Sequence, residues 1–264
     1  GTSAAHISRA KELFRAMIHA DLGKKWICQV TINMADDEEL LDLAARAGCQ
    51  GVFIGFESPT AQGLAEVGKK FNLLYGRDFK GSVGRIRRHG MLVVGSFILG
   101  LDSDRPGVGR RIDEAASRYG IDILNALFLT PLPGTQLWDR MAAEDRIAAA
   151  DFPEDWRYYT LTYPTARYKH FSQTQILEEM STCDNGFYSW RRILRRLGAN
   201  LIGLRHPIVS LVSNLSYRNN ARLSRSRYGQ LRAPTGRAEH GRKAVSERLP
   251  LGWVRGRPGR SSAS

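Results

Sequence analysis

Glu57 ends the run Gly51-Val-Phe-Ile-Gly-Phe-Glu-Ser58, and its residue type and position make it the first candidate for chemistry. Val52, Phe53, Ile54 and Phe56 form a short β-branched and aromatic run, the composition of a strand covered on both faces. Ser58-Pro59 breaks the chain directly afterwards. The carboxylate therefore falls at the carboxyl end of a parallel strand, where α/β proteins assemble their sites. There it can serve as a charged hydrogen-bond acceptor, as an acid or base, or as the partner of a neighbouring Lys or Arg. Acid–base catalysis has the least support, because no second carboxylate or histidine falls in a matching place. No metal ligands are expected either: Cys28, Cys49 and Cys183 lack metal-site spacing, and the six histidines form no HExxH. No catalytic residue is assigned.

Placing Glu57 in this way requires a regular alternation of elements, and the sequence supplies one. Ala10, Leu13, Phe14, Met17 and Ile18 share one face of a helix over Ser8–Ala20, closed by Gly23. Trp26–Ile32 reads as a strand. Asp36, Asp37, Glu38 and Glu39 open a helix at its positive end, with Leu40, Leu41, Leu43, Ala44 and Ala47 inward. After the Gly51–Glu57 strand come a helix near Asp78–His89, a strand over Met91–Leu99 and a helix over Pro106–Tyr119. A fourth strand over Ile121–Leu129 and a helix over Leu137–Met141 follow. Such alternation means a parallel sheet, open or closed into a barrel. The pattern starts with a helix that lacks its preceding strand, and the chain begins at Gly1, so a fragment of a longer protein is expected.

The 264 residues allow one large domain or two small ones, and 42% hydrophobic with 25% charged residues is ordinary for a globular chain. The net charge of +13 is unevenly placed. Residues 1–184 hold 22 basic and 24 acidic residues; residues 185–264 hold 17 and 2. The basic character thus belongs to the carboxyl-terminal part. Three scattered cysteines argue against a disulfide framework and for the cytoplasm. No apolar run reaches the roughly 18 residues of a spanning helix.

In order along the chain, Trp26-Ile-Cys-Gln-Val-Thr-Ile-Asn33, Asp37-Glu-Glu-Leu-Leu41, Ala47-Gly-Cys49 and Gly51–Ser58 resemble the radical S-adenosylmethionine enzymes, in the branch with a preceding cobalamin-binding domain. Gly68-Lys-Lys70, Gly95-Ser-Phe-Ile-Leu-Gly-Leu-Asp102 and Pro131-Leu-Pro-Gly-Thr-Gln-Leu-Trp138 extend the resemblance. It implies an α/β fold: a partial (β/α)6 TIM-like barrel over residues 1–150 that lacks its first strands. A small, mostly helical accessory domain over 151–230 and a disordered basic tail over 231–264 would follow. It also implies a methyltransferase acting on an unactivated carbon of a lipid or natural product. Glu57 and Ser58 would then meet the ribose or amino acid part of S-adenosylmethionine, Gly95, Phe97 and Leu129 would lie near the adenine, and Gln29 and Thr31 would point into the barrel. The family's CxxxCxxC loop, which ligates a [4Fe–4S] cluster, is absent, and Cys28 and Cys49 cannot replace it. Cluster and cobalamin would belong to a full-length parent, and this chain alone is expected to be inactive.

A different class of function is a non-catalytic scaffold whose basic tail binds anionic membrane or nucleic acid, and a separate expectation is a membrane-surface helix pair over residues 187–217. Phe187, Trp190, Ile193, Leu194, Leu197, Leu201 and Leu204 fall at helical intervals, flanked by Arg191, Arg192, Arg195 and Arg196. Pro207 interrupts the stripe, and Ile208, Val209, Leu211, Val212 and Leu215 resume it. The composition is that of an interfacial helix pair, although docking of the stripe on the barrel is the competing expectation. Tyr217, Tyr228 and Trp253 are too sparse for a base-stacking platform, which argues against nucleic acid.

Overall fold

The computed structural model describes residues 4–69, 77–151, 153–203 and 206–228, which lie within one compact unit. Four parallel strands form a single sheet in chain order: β1 (Trp26–Val30), β2 (Cys49–Glu57), β3 (Leu92–Leu99) and β4 (Ile123–Phe128). Between them run helices α1 (Ala4–His19), α2 (Glu38–Arg46), α3 (Ala61–Glu66), α4 (Phe79–Arg88) and α5 (Val108–Tyr119), with α1 ahead of β1. Helix starts follow the sequence chemistry. Asp37, Thr60 and Asp78 each accept a backbone N–H at the entrance of α2, α3 and α4, a contribution of about 1 kcal/mol apiece.

One face of the sheet is covered. Val52, Ile54, Phe56, Val93, Phe97 and Leu124 point from alternate strand positions into a core completed by Leu41, Ala44, Ile86, Ile112 and Ala116 of the helices. The opposite face is partly accessible: Ile27 is 71% exposed, Gln29 is exposed, and Phe53, Gly55, Val94 and Ile98 are half-buried, whereas Leu92, Ser96 and Ile123 are buried. The sequence predicted strands buried on both faces. The apolar runs therefore mark strands that are fully buried on the helix-packed face and only partly buried on the other.

The two outer edges of the sheet differ. Tyr188 donates its hydroxyl to the Leu124 carbonyl at 2.5 Å and accepts from the Leu124 amide at 3.1 Å, and Phe128 donates to the Leu161 carbonyl at 2.9 Å. Those contacts close the outer edge of β4. β1 is the last strand at the other edge.

Beyond β4 come α6 (Gln136–Ala143) and an irregular stretch that crosses back at the Ile147–Ala166 bridge. Then follow α7 (Gln173–Phe187), α8 (Trp190–Ile202) and α9 (Pro207–Tyr228). α7 docks on α5, where Glu179 accepts the amides of Gly107 and Gly109 at 2.5 and 2.8 Å and so caps that helix. No described helix is long and apolar enough to cross a membrane.

Several expectations are corrected. The first strand ends at Val30, and Thr31 precedes a 3-10 turn over Ile32–Asp36. Leu13 faces outward at 57% exposure, because Lys11 takes the inner position and pairs with Asp37 and Glu39 at 2.7 and 2.8 Å. The apolar stripe of 187–217 does not stay together either. Phe187 and Ile193 are buried while Leu194 and Leu201 are exposed, and Arg196, expected on the flank, is buried. Lys70, Leu204 and the tail over 231–264 lie outside the described residues.

Candidate functional site

Glu57 is held at φ 66°, in the left-handed region, which costs a residue with a side chain about 1–2 kcal/mol. A bulge sets it there: pairing with β3 steps from Gly55↔Ser96 to Glu57↔Phe97, so Phe56 stays in the core. The turn swings the Glu57 side chain back over Gly55. A Cβ on Gly55 would lie 2.2 Å from Glu57 Oε1 and 3.2 Å from Lys69 Nζ. Gly55 is glycine because a carboxylate and an ammonium fill the place of its side chain. Lys69 Nζ lies 2.9 Å from Glu57 Oε1 and donates to the Gly55 carbonyl at 2.9 Å.

Register carries the site across the sheet. Gly55, Ser96 and Asn125 lie opposite one another on β2, β3 and β4. They form one row on the uncovered face, about 10 Å long at ordinary strand spacing. The next row toward the amino ends is Gln29, Phe53, Val94 and Ile123. The face therefore carries an apolar row with an amide at its β1 end and Ile123 buried at the other, then a polar row in which Ser96 is buried and a charged pair stands over Gly55. Such a surface suits a flat apolar group carrying hydroxyls and an amine.

The loop that follows β3 is fixed by carboxylates. Gly100 and Leu101 donate their amides to Asp104 Oδ2 at 2.9 and 3.0 Å, and Asp102 and Ser103 donate theirs to Glu66 at 2.8 and 2.9 Å. Four consecutive amides are thus already engaged, so this loop is not a phosphate cradle. Burial pushes the Asp104 carboxyl up to about 6. Asp102 is held below the usual carboxylate range by Arg146 and Lys169, against the opposing effect of desolvation, which is the largest single influence.

The residues singled out from sequence are placed as follows. Glu57 reaches the uncovered face, and Gln29 shares that face one row below. Thr31 is exposed at the end of β1. Ser58 is buried, and its Oγ accepts the Thr60 amide at 3.2 Å, shaping the turn into α3. Phe97 is fully buried on the helix side, stacked on Phe56 at 5.6 Å between ring centres. Gly95 admits Ile121, whose Cδ1 would stand 2.4 Å from an added Cβ. Leu129 packs in the core, and its carbonyl accepts the Tyr168 hydroxyl at 3.1 Å. Lys69, Ser96 and Asn125 were not singled out. Ser96 and Asn125 had a legible signal: each is the polar residue of an otherwise apolar strand, at a position that alternates away from the helix-packed core.

Among the described residues no cluster of His, Cys, Asp or Glu could hold a metal ion. Cys28 and Cys49 are neighbours on β1 and β2, where the Cys49 thiol lowers the Cys28 pKa and is itself held protonated. Cys183 is fully buried on α7. Three thiolates in reach of one cluster, which a [4Fe–4S] centre with one open iron requires, are not offered by this donor set.

No protein-family model matches the chain. Curated proteins named as methyltransferases do. The chain is 27% identical over 186 residues to bacteriochlorophyllide d C-12(1)-methyltransferase of Chlorobaculum tepidum, covering 70% of the chain and 39% of that protein. It is 33% identical over 124 residues to hopanoid C-2 methylase of Rhodopseudomonas palustris, covering 47% and 23%. An uncharacterized methyltransferase of Synechocystis is 34% identical over 119 residues, covering 45% and 22%. The chain thus spans between 22% and 39% of the length of these relatives. Among solved structures, a radical S-adenosylmethionine methyltransferase from Kitasatospora setae, determined with cobalamin and a [4Fe–4S] cluster bound, aligns with a TM-score of 0.44 at 21% identity. The alignment covers 56% of this chain and 29% of that one.

Proposed function

We propose that this chain is the carboxyl-terminal part of a radical S-adenosylmethionine methyltransferase, and that its uncovered sheet face is the S-adenosylmethionine-binding wall of a (β/α)6 barrel. The observation that carries the reading is Glu57, a strained residue at the carboxyl end of β2 whose carboxylate stands over Gly55 on that face. Backbone strain of this kind concentrates at functional positions. Chain-ordered parallel strands with helices on one side fit an arc of barrel wall, the third to sixth strands. The terminal position of β1 and the exposure of Ile27 leave room for the strands that would close it.

In this reading Glu57 accepts hydrogen bonds from the ribose or the amine of the cofactor, and Lys69 holds the carboxylate in place. Ser96, Asn125 and Gln29 supply hydroxyl and amide partners, while Phe53 and Val94 give the nucleoside an apolar bed. S-adenosylmethionine brings a sulfonium-activated methyl group and a nucleoside; the residues here bind and orient it. The [4Fe–4S] cluster does not fit the thiols of this chain, and no step is assigned to it. Cluster and cobalamin would belong to the rest of a parent protein. The names of the relatives favour an unactivated carbon of a lipid or natural product as methyl acceptor.

The test is Glu57→Gln in a polypeptide that carries a CxxxCxxC segment ahead of these residues. A charged hydrogen bond of about 1.5–3 kcal/mol predicts roughly tenfold or more weaker S-adenosylmethionine binding, with little change in melting temperature. Intact binding with a collapsed melt would make Glu57 a structural ion-pair residue and remove the proposal.

A further inference from the structure

α8 and α9 are built with their polar residues inside. α8 buries Ile193, Arg196 and Asn200, and α9 buries Ser210 and Asn214. Asn200 donates to Ser210 Oγ at 2.9 Å and to Asp122 Oδ1 at 3.1 Å. Asn214 donates to the Asp122 carbonyl at 3.2 Å, and Arg196 to Asn214 Oδ1 at 2.7 Å. Asp122, fully buried just ahead of β4, also faces Arg87 at 3.4 Å. These hydrogen bonds fix the rotation of both helices, and the rotation turns their apolar residues outward. Leu194, Leu201 and Ile202 are exposed on α8, as are Ile208, Val212 and Leu215 on α9, with Ile202 at 89% and Ile208 at 77%. The Asn200–Ser210 hydrogen bond brings the end of α8, with exposed Leu201 and Ile202, beside the start of α9, with exposed Ile208.

The charged residues that these two helices carry have a single sign, with Arg192 paired to Asp113 and Arg196 buried. Residues 190–228 contain nine arginines and no aspartate or glutamate. Arg191 and Arg195 are exposed on either side of Leu194 in the sequence. Pairing with a second copy would bring two such arginine sets together at low dielectric, which is repulsive. An apolar crest beside exposed Arg191 and Arg195 instead matches a surface with an anionic rim and an apolar interior.

We propose that the α8–α9 corner is a membrane-docking wedge: its aliphatic side chains enter the headgroup–acyl boundary of an anionic bilayer while Arg191 and Arg195 meet lipid phosphates. The inference is independent of the cofactor reading.

Flotation of the full chain tests it, using phosphatidylcholine vesicles with and without about one-third phosphatidylglycerol. The chain is expected to float with the anionic vesicles and far less with the neutral ones. The triple variant Leu201→Ser, Ile202→Ser, Ile208→Ser should lower partitioning about tenfold or more, with an unchanged thermal melt because all three side chains are exposed. Should that variant fail to fold, Arg191→Glu with Arg195→Glu is expected to cause a similar loss on anionic vesicles. No flotation of the unaltered chain overturns the proposal. So does equal flotation of chain and triple variant, which would assign binding to basic residues alone. A concentration-dependent dimer that the triple variant abolishes, without flotation, would assign the crest to a second copy and likewise overturn it.

Discussion

Lys69 ties Glu57 to the strand that carries it: its ammonium lies 2.9 Å from the Glu57 carboxylate and 2.9 Å from the Gly55 carbonyl. The contact holds the carboxylate on the uncovered face, over a position where no side chain competes. Both partners remain partly exposed, at 21% for Glu57 and 35% for Lys69, so the pair contributes little to stability, within about 0–1 kcal/mol. Its role is placement.

Stability and ligand binding should therefore separate at position 57. Glu57→Gly relieves the left-handed strain, about 1–2 kcal/mol, and loses at most about 1 kcal/mol of ion pair. The glycine variant should melt at the same or a higher temperature than the parent chain by circular dichroism. A clear drop in melting temperature would contradict the strain assigned to this residue.

Asp104 gives the fold a distinct pH response. Its carboxyl is raised from 3.8 to about 6 by burial, so between those values the folded chain holds a proton that the unfolded chain has released. Stability from this group is greatest at the acid end, falls as pH rises through that window, and is flat above it. The loss amounts to about 3 kcal/mol, at roughly 1.4 kcal/mol per unit. Asp104→Asn keeps an oxygen for the Gly100 and Leu101 amides and removes the titration. Its melting temperature relative to the parent should rise between about pH 4 and pH 6. A difference that is constant over this range would show that Asp104 does not titrate there.

The three cysteines should differ in reactivity. Cys28 is partly exposed and its thiolate is favoured by the Cys49 thiol, whereas burial raises Cys183 strongly. Limited alkylation with iodoacetamide, read by peptide mass spectrometry, should label Cys28 first. Cys49→Ala should slow that labelling at neutral pH. Initial labelling of Cys183 would contradict the burial of α7.

Tyr188→Phe should destabilise the sheet edge. The hydroxyl serves both backbone groups of Leu124, and its removal leaves a buried donor and acceptor unmatched, at a cost of about 2–4 kcal/mol. Thermal denaturation should register a fall of several degrees, while a change within about 0.5 kcal/mol would mean that water takes over both bonds.

Strand positions were legible because apolar runs bounded by Gly and Pro leave few alternatives, and Glu57 was found at the end of one of them. Its positive φ was not, since the bulge depends on how Phe56 stacks against Phe97, Phe79 and Tyr119, a contact spread over three further elements. Lys69 went unrecognised as a site residue for the same reason: 12 positions separate it from Glu57 in the sequence, and the α3 turn brings them together. The 187–217 stripe was misread in rotation. Helical periodicity put Phe187, Ile193, Leu194 and Leu201 on one side, but Asp122 recruits Asn200 and Asn214 and turns the helices about their axes. A buried carboxylate in a loop outranks the burial of three or four aliphatic side chains, because leaving it without partners costs more.

The chain-ordered sheet bears on how the molecule comes into being. Each strand finds its neighbour already synthesised, so the sheet can be laid down one hairpin-free β/α step at a time as the polypeptide leaves the ribosome, with only short loops to close. Tyr188 and Leu161 reach β4 only after every strand exists. Until they arrive the β4 margin of the nascent sheet is adhesive, and the hydroxyl of one tyrosine is among the last contacts that shut it.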